Sequence, residues 1–374
     1  MQAHNPLHAM ILAACLAALQ SAELARPSAP TLPAEPRLEL EAIREARDRA
    51  LHWLAAQQDE QGHWPVLEGE EAHRVGVSSL ALRALQAAGN KSDVGPHARA
   101  MERGLAWLWD QVDPDSGSVG DAVSHTHHYN HAIATLVLCE ELDEQSGALE
   151  REVANSAVHY VLRARNPYGA WRYDNPPIGD NDTSITSWMV RALAAAQAKE
   201  VPIDRAAFEG ASAWVQEVTD AETGRVGYDS TGSMSSRTVQ NEHYPRENGE
   251  AMTAAGIGIL VHAQAWDERD VVAKRQQLRL LRNQPEWEVQ EFAVDMYYWF
   301  QAAHSLSHVD GEAWRIWAPA MARTVIRAQR TDGEFAGSWD PAGPWGYSGG
   351  RVYATALMAL SLQKLLDNPR WRSV

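Results

Sequence analysis

Residues 51–64 read LHWLAAQQDEQGHW and join a short apolar helical core to a loop that ends in tryptophan. Related cores recur along the chain, each with an aromatic or aliphatic residue at its third position. These third positions are Trp53, Trp107, Tyr160, Trp214, Leu280 and Ile326. The successive intervals are 54, 53, 54, 66 and 46 residues. Such self-similarity at a nearly fixed interval indicates a helical repeat protein, in which stacked units bury one another's apolar faces.

Each core precedes a loop and then a second helix that is richer in Ala and Leu. The apolar period is helical throughout, and no segment shows the alternation of a strand. The second helices are predicted to begin near Ser79, Ala132, Thr186, Thr253, Asp295 and Tyr353. The sequence therefore predicts six helical hairpins.

Six hairpins form either an open solenoid or a closed ring. An open solenoid needs polar end units, and neither the first nor the last hairpin is polar on both faces. We therefore predict an all-α fold, an (α/α)6 toroid with inner and outer rings of helices, over residues 41–374 as one domain.

The loops share glycine and tryptophan. The first has Gln58, Gly62 and Trp64; the third is Asn166–Trp171; the last is Gln329–Gly333, followed by Trp339. Glycine supplies the positive φ that a helix C-cap requires, and tryptophan covers the turn while its indole N–H finds a carbonyl or glutamine partner. We interpret these tryptophans as structural.

Charge and cysteine content exclude several classes of protein. The 374 residues carry a net charge of −16, which disfavours binding to nucleic acid. Two cysteines, Cys15 and Cys139, are too few for a disulfide framework or a Cys-rich zinc module. Cys139 lies in an apolar helical stripe and is expected in the core.

The N-terminus has the features of an export segment. The apolar run Ala9–Leu19 is too short to span a bilayer and suits the apolar region of a signal peptide. We predict an export signal over residues 1–25, with lipidation of Cys15 as one form of it, and a Pro-rich linker over 26–40. These features predict an extracytoplasmic protein without a transmembrane helix in its mature form.

The glutamine–glycine–tryptophan loops between paired helices resemble the repeats of the terpenoid cyclase and protein prenyltransferase toroid superfamily. Four stretches closely resemble bacterial proteins with prenyltransferase and squalene-oxidase repeats. They are residues 128–140, 169–190, 295–304 and 337–360. The resemblance covers the chain after residue 40. It implies the toroid fold and an elongated, apolar, isoprenoid-like ligand in the central cavity, with no assigned reaction.

The chemistry of that superfamily is incomplete in this chain. The zinc prenyltransferases have an Asp-x-Cys pair where this chain has Asp295-Met296-Tyr297, and a phenol is a poor substitute for the thiolate. We therefore expect no zinc prenyl transfer and no cofactor. The D-x-D-D-T motif of the class II cyclases corresponds to Asp180–Thr183, which places either Asp182 or Asn181 at the acid. Asp180, Asp182 and Asp295 are the catalytic candidates, although Asp182 suits a helix cap equally well.

The predicted ligand-binding residues lie near the start of the second helices or in the loops before them. They are His131, Tyr297, Tyr298, Trp299, Trp345, Arg351 and Tyr353. Polar and aromatic groups of this kind line ligand sites, but Arg351 could instead pair with Asp295 or Asp182. A metal site on His127 and His131, which are four residues apart, is an alternative.

Three functions stay open, and so does the question of whether the chain is an enzyme. The first is an isoprenoid binder or terpenoid-cyclase-like enzyme. The second is a carbohydrate-active toroid that uses Asp180, Asp182 and Glu250 as carboxylates. The third is a non-catalytic extracytoplasmic interaction module.

Overall fold

The computed structural model describes residues 40–122, 126–167, 169–173, 176–247 and 249–372. In these ranges the chain forms twelve α-helices joined by loops. Within these ranges there is no strand, only two isolated bridges, Val112–Val119 and Thr219–Val226. The helices are α1 Leu40–Ala56, α2 Arg74–Ala87, α3 Ala98–Asp110, α4 His127–Glu141, α5 Ala148–Arg163, α6 Thr183–Ala198, α7 Arg205–Val218, α8 Ala251–His262, α9 Val271–Arg282, α10 Met296–Val309, α11 Glu312–Ala328 and α12 Gly346–Asp367. Short 3₁₀ helices lie at Glu71–His73, Gly333–Phe335 and Pro369–Arg372.

The even-numbered helices form a closed inner ring. Each packs against the next even-numbered helix, and α12 packs against α2. The odd-numbered helices lie outside them. The last loop also joins the first helix, because Gln329 Nε2 donates to the Ala46 carbonyl at 2.7 Å and Trp53 Nε1 donates to the Glu334 carbonyl at 3.0 Å. The predicted all-α (α/α)6 toroid is confirmed.

Burial separates the two rings as the compositions predict. In α8 the nine residues Ala251–Ile259 are all buried, whereas in α9 only Ala273, Gln276 and Leu280 are buried. A helix that is apolar all round belongs in an interior, and one with a single apolar stripe belongs at a surface. The inner ring therefore carries the core.

The starts of α8 and α10 lie within two residues of the predicted positions, but those of α2, α4 and α12 lie five or more residues earlier. Helix α2 begins at Arg74 and not near Ser79, and α12 begins at Gly346 and not near Tyr353. The first turn of α12 contains Gly346 and Gly349 and lacks the apolar period from which its start was inferred. In α12 the backbone also breaks at Gly350, where φ is 67°.

The loop tryptophans have the structural role that the sequence predicts. Trp64, Trp171 and Trp339 are fully buried. Their indole N–H groups donate to carbonyls of the preceding outer helix at 2.7, 2.8 and 2.8 Å. Their backbone amides donate to hydroxyls of the following inner helix, on Ser78, Thr186 and Thr355. Each tryptophan thus joins the two helices of its own hairpin.

Glycine lets these loops lie against the next outer helix. Gly169 has a φ of +101°, and a Cβ on it would lie 2.7 Å from the Gly210 Cα of α7. Gly337 has a φ of +96°, and a Cβ on it would lie 2.5 Å from the carbonyl oxygen of Arg49 in α1. Since real Cβ atoms do not approach backbone so closely, both positions require glycine. The second contact helps to close the ring.

Some predictions concern residues outside this description. The export signal over 1–25, the lipidation of Cys15 and nearly all of the 26–40 linker fall within residues 1–39, which lie outside the described residues. The described residues from Leu40 to Arg372 belong to one compact unit. Cys139 is buried, and burial raises the pKa of its thiol to about 12. None of the helices in the described ranges has both the length and the apolar character needed to span a bilayer.

Candidate functional site

Five tyrosines and a buried aspartate converge where several inner helices begin. We call this group the tyrosine mouth. It consists of Tyr129 of α4, Tyr173 and Tyr228 from loops, Tyr297 of α10, Tyr353 of α12, and Asp182 at the start of α6. Burial raises the pKa of Tyr129, Tyr173 and Tyr228, and the negative charge of Asp182 contributes to that rise. Burial also raises the pKa of Tyr353, and Tyr297 contributes in the same way to the raised pKa of Tyr129 and of Tyr353. Four different repeats and the loop after α7 therefore contribute to one electrostatic environment.

Asp182 is held rigidly at the N-cap of α6. Its Oδ1 accepts from the Ile185 amide at 2.8 Å, and its Oδ2 accepts from the Tyr228 hydroxyl at 3.2 Å. The Tyr228 hydroxyl also bonds closely to the Tyr173 hydroxyl. The helix-cap interpretation of Asp182 is thus confirmed for one oxygen, while the second oxygen begins a chain of hydroxyls.

Burial gives Asp182 an unusual affinity for protons. The side chain is fully buried, and desolvation raises its pKa from 3.8 to about 6, although the Ile185 amide and the two tyrosine hydroxyls oppose that rise. A carboxyl group with a pKa near 6 holds a proton in part of its population near neutral pH, which suits a general acid.

The long loop 219–250 between α7 and α8 positions Tyr228. The Thr183 amide donates to the Tyr228 carbonyl at 2.9 Å, and Thr183 Oγ1 donates to the Gly227 carbonyl at 2.6 Å. The Ser233 hydroxyl accepts from the Tyr228 amide at 2.9 Å. This loop accounts for the 66-residue interval in the repeat, so the insertion itself supplies part of the site.

Asp295 is a second buried carboxyl group near the mouth. It caps α10, because its Oδ1 accepts from the Tyr298 amide at 2.9 Å. Its Oδ2 lies 3.9 Å from Arg237 Nη2. Burial raises the pKa of Asp295, and the positive charge of Arg237 opposes that rise. Burial raises the pKa of Tyr353, a member of the tyrosine mouth, and the charge of Asp295 contributes to that rise. The carboxyl group of Asp295 therefore lies close to the mouth.

The lumen enclosed by the inner helices is crossed by polar side chains. Tyr297 shares a hydrogen bond with Ser184 Oγ at 2.8 Å and accepts one from Gln301 Nε2 at 2.9 Å. Gln301 Oε1 accepts from Arg191 Nη2 at 2.6 Å. Arg191 is buried, and desolvation lowers its pKa to about 9. Its guanidinium carbon lies 4.8 Å from the centre of the Phe300 ring.

Several predicted residues lie away from the mouth. The Tyr298 hydroxyl donates to carbonyls of Leu280 and Asn283 near the end of α9, and Trp299 packs beside Trp287, so both aromatic groups face outward. Asp180 is exposed, 3.5 Å from Arg172. Trp345 is half-buried at the N-cap of α12.

Two predicted charged residues have partners elsewhere. Arg351 donates to Asp340 Oδ1 at 2.6 Å and lies over the Phe335 ring, so it pairs with neither Asp295 nor Asp182. Glu250 is buried against Arg225 and Arg279, which lie 2.9 and 2.5 Å from its Oε1. Because α9 is an outer helix, the Glu250 carboxylate faces away from the lumen.

Both ring nitrogens of His131, a predicted ligand-binding residue, are engaged in contacts within the protein. Its Nδ1 accepts from the Val119 amide at 3.1 Å, and its Nε2 lies 3.1 Å from the Ala157 carbonyl. His131 thus holds its loop as Ser78 and Thr186 hold theirs. His127 Nε2 lies 3.2 Å from both Ser118 Oγ and Tyr160 Oη. In the described ranges, no group of three or more His, Cys, Asp or Glu is placed to hold a metal ion; Ser124 and His125 of the same cluster fall outside them.

The sequence did not single out Tyr129, Tyr173, Tyr228 or Arg237. Tyr129 and Tyr173 fall inside the stretches 128–140 and 169–190, but nothing in their spacing separates them from core aromatics. Tyr228 and Arg237 lie in the insertion before α8, outside the repeat pattern. The unequal interval was the available indication that this loop is special.

Comparison with known proteins supports the fold. No protein-family model matches the chain, and no curated protein matches it in sequence. A similar solved structure is described as a possible member of the GH105 family from Salmonella enterica subsp. enterica serovar Paratyphi A str. ATCC 9150. The TM-score is 0.53 at 13% identity, and the match covers 92% of this chain and 100% of that chain. At this identity the likeness establishes an α/α toroid and nothing finer.

The expectation of an elongated, isoprenoid-like ligand is wrong. The similar solved structure is described as a possible member of the GH105 family and not as a terpenoid cyclase or prenyltransferase. The lumen gives a physical reason why an apolar ligand does not suit it, because Arg191, Gln301 and Tyr297 form a hydrogen-bonded line across it. An apolar chain there would face a buried guanidinium and break its hydrogen bonds, which is costly.

Proposed function

We propose that this toroid is a carbohydrate-active enzyme that binds a saccharide at the tyrosine mouth and cleaves a glycosidic bond. The observation that carries the proposal is Asp182, a buried carboxyl group with a pKa of about 6 among tyrosine hydroxyls. The fold agrees with it, because the protein of similar structure is described as a possible member of the GH105 family, a family of glycoside hydrolase-like toroids. Aromatic walls with a few convergent polar groups are the usual lining of a small-molecule site.

Glycosidic cleavage needs one carboxyl group that donates a proton and another that acts in its charged form. We assign the acid to Asp182, because burial favours its protonated form. The carboxylate itself is buried, so its proton reaches the leaving oxygen through the hydroxyls of Tyr228 and Tyr173. We assign the charged role to Asp295, whose carboxylate is stabilised by the neighbouring Arg237.

The experiment is a turnover assay on neutral and acidic polysaccharides and their oligosaccharides, with new reducing ends as the readout. We expect kcat/KM to fall by at least about 100-fold in Asp182→Asn and in Asp295→Asn, since each removes a proton-transfer or charged group.

The matched controls are Asp204→Asn and Asp270→Asn. These aspartates cap the outer helices α7 and α9, so they share the capping role without lying at the mouth. They should keep wild-type turnover. Absence of turnover on every glycan of the panel, or equal turnover in Asp182→Asn and wild type, would remove the proposal.

The repeat loops still resemble those of the prenyltransferase and squalene-oxidase repeats. We infer common ancestry with these proteins from the glutamine, glycine and tryptophan positions, and we assign none of their activities to this chain. Comparison of structures from that superfamily should superpose Gln58, Gly62 and Trp64 on their repeat residues; a different side-chain network there would contradict shared ancestry.

We also propose export, with lipidation at Cys15 as one route. The basis is the apolar run Ala9–Leu19 and the Pro-rich segment after it. Cell fractionation, followed by mass spectrometry of the purified N-terminus, tests it. A full-length, unmodified chain in the cytoplasm would contradict export.

A further inference from the structure

A polar cavity of about 200 Å³ lies beside Asp295 and the end of α9, where Arg282 and Asn283 line it. It lies between the two loops that precede α8 and α10, residues 219–250 and 283–295. Its lining includes Arg237, Tyr244, Arg282, Phe292, Asp295 and Trp299. Of these residues, only Asp295 has a catalytic role in the proposed function.

The buried side chain of Arg237 lines this cavity, and some of its N–H donors are not used in hydrogen bonds. Its side chain is 2% exposed. Nη1 donates to the Ser236 carbonyl at 3.0 Å, while the buried Nε has no hydrogen-bond partner. Nη2 lies 3.9 Å from Asp295 Oδ2, which is too far for a hydrogen bond. A buried guanidinium left in this state is costly unless a ligand completes its bonding.

We propose that this cavity binds one neutral sugar ring, as a subsite next to Asp295. A ring hydroxyl between Arg237 Nη2 and Asp295 Oδ2 would accept from the first and donate to the second. The neighbouring hydroxyl of the same ring would accept from Arg237 Nε. The inference rests on the proposed function and names the class of sugar that the site takes.

The charges of the cavity favour a neutral ligand over an anion. Arg237 and Arg282 are balanced by Asp295 and Glu286, which also line it. An acidic ligand would leave one carboxylate beside another, and like charges at such distances repel.

An aromatic rim completes the subsite. Phe292 and Tyr244 meet edge to face, with ring centres 5.4 Å apart. The Phe292 residue is 41% exposed, although a side chain of this size is usually buried. An exposed ring at the edge of a polar cavity offers an apolar surface to the C–H face of a sugar.

The test uses saturation-transfer NMR on the full chain with methyl glycosides of glucose, galactose, mannose and xylose, and with methyl glucuronide as the acidic counterpart. We expect a saturable signal from at least one neutral glycoside in the wild type and in Asp182→Asn. The dissociation constant should rise by about tenfold or more in Arg237→Met, as expected when hydrogen bonds to a charged group are lost.

The matched control is Arg246→Met, which removes an exposed arginine of the same loop and should bind as the wild type does. Since Arg237→Met leaves Asp295 buried without its cation, Phe292→Ala at the rim is the second variant, and it should also weaken binding. Absence of saturable binding by every neutral glycoside, wild-type affinity in both Arg237→Met and Phe292→Ala, or tighter binding of methyl glucuronide would overturn the proposal.

Turnover separates this inference from the proposed function. Binding that depends on Arg237, with no turnover of any glycan, supports the subsite and removes the catalytic proposal. Turnover that needs Asp182, with KM unchanged in both Arg237→Met and Phe292→Ala, supports catalysis and overturns the subsite.

Discussion

Asp182 and Asp295 cap two inner helices, α6 and α10, that stand on either side of α8. In each residue Oδ1 accepts from the amide three residues later, at 2.8 Å in Asp182 and 2.9 Å in Asp295. The second oxygens have different neighbours, since Asp182 Oδ2 meets the Tyr228 hydroxyl at 3.2 Å and Asp295 Oδ2 faces Arg237 at 3.9 Å. Two carboxyl groups with the same local geometry therefore have different electrostatic partners.

That difference gives each carboxyl group a distinct tendency to ionise. A neutral phenol stabilises a carboxylate less than a guanidinium does, because only the guanidinium carries charge. Burial raises the pKa of both carboxyl groups, but only Asp295 has the positive charge of Arg237 opposing that rise. Of the two, Asp295 is therefore the better suited to the charged role in the proposed reaction. Pairs of titratable groups whose surroundings differ in this way are how enzymes divide acid and base functions.

The first prediction concerns the pH dependence of stability at Asp182. Its pKa is about 6 in the folded chain against a usual 3.8, so the folded state holds a proton that the unfolded state has released. The stabilising effect is complete below about pH 4 and is lost as the pH rises through 6. Asp182→Asn stays neutral, so its free energy of unfolding relative to wild type should rise across that window, by on the order of 3 kcal/mol.

Urea titrations at pH 4, 5, 6 and 7 measure this difference. Asp204→Asn is the control, because Asp204 makes an equivalent capping bond from an exposed position. Its difference from wild type reports the loss of a capping hydrogen bond at an exposed helix start. A constant difference between Asp182→Asn and wild type across the series would show that Asp182 titrates normally.

The second prediction concerns Tyr228→Phe. The Tyr228 hydroxyl donates to Asp182 Oδ2 and lowers the pKa of Asp182 by stabilising its charged form. Removal of that donor should raise the Asp182 pKa by about one unit. Carboxyl ¹³C NMR of Asp182 measures it without any substrate. Tyr347→Phe removes an exposed hydroxyl bonded to Thr238 and is the control; an equal pKa in Tyr228→Phe and wild type would contradict the hydroxyl chain.

Sequence periodicity predicts the two rings of helices because the apolar pattern of each helix depends on how much of its surface is buried. The intervals between Trp53, Trp107 and Tyr160 are nearly equal, and Trp64, Trp171 and Trp339 each make the same two hydrogen bonds, one from the indole and one from the backbone amide. The site was less predictable. Asp182 and Asp295 were found as polar groups at helix starts, but Arg351 was misplaced because its partner, Asp340, lies in the adjoining loop.

The remainder of the site depends on tertiary contacts that no local pattern encodes. Tyr228 reaches Asp182 through the hydrogen bonds of Thr183 with the loop. Arg237 reaches Asp295 across two separate loops. Tyr298 was assigned to the lumen although its hydroxyl bonds outward to Leu280 and Asn283, because neighbouring residues on a helix point in directions about 100° apart.

The third prediction tests how the ring closes. Gly337 and Gly311 both have positive φ, +96° and +104°, but only Gly337 faces another helix, with a Cβ position 2.5 Å from the Arg49 carbonyl oxygen. Gly311 has open space around it. Gly337→Ala should therefore lower the free energy of unfolding by about 1–3 kcal/mol more than Gly311→Ala. Urea denaturation followed by circular dichroism measures both, and equal losses would mean that the contact with α1 contributes nothing to stability.

The fourth prediction concerns acid sensitivity at the end of α8. His262 Nε2 lies 3.2 Å from His304 Nε2, and burial, together with the positive charges of Arg191 and Lys364, lowers the pKa of His262 below its usual 6.5. The unfolded chain therefore takes up a proton that the folded chain refuses, and stability falls as the pH drops below about 6.5. His262→Gln should lose less stability than wild type between pH 7 and pH 5. His159→Gln, at an exposed position on α5, is the control for loss of a surface imidazole. An equal loss of stability in His262→Gln and wild type would contradict the prediction. The slope is opposite in sign to that of Asp182, so the two variants together separate the contributions that cancel in the wild-type curve.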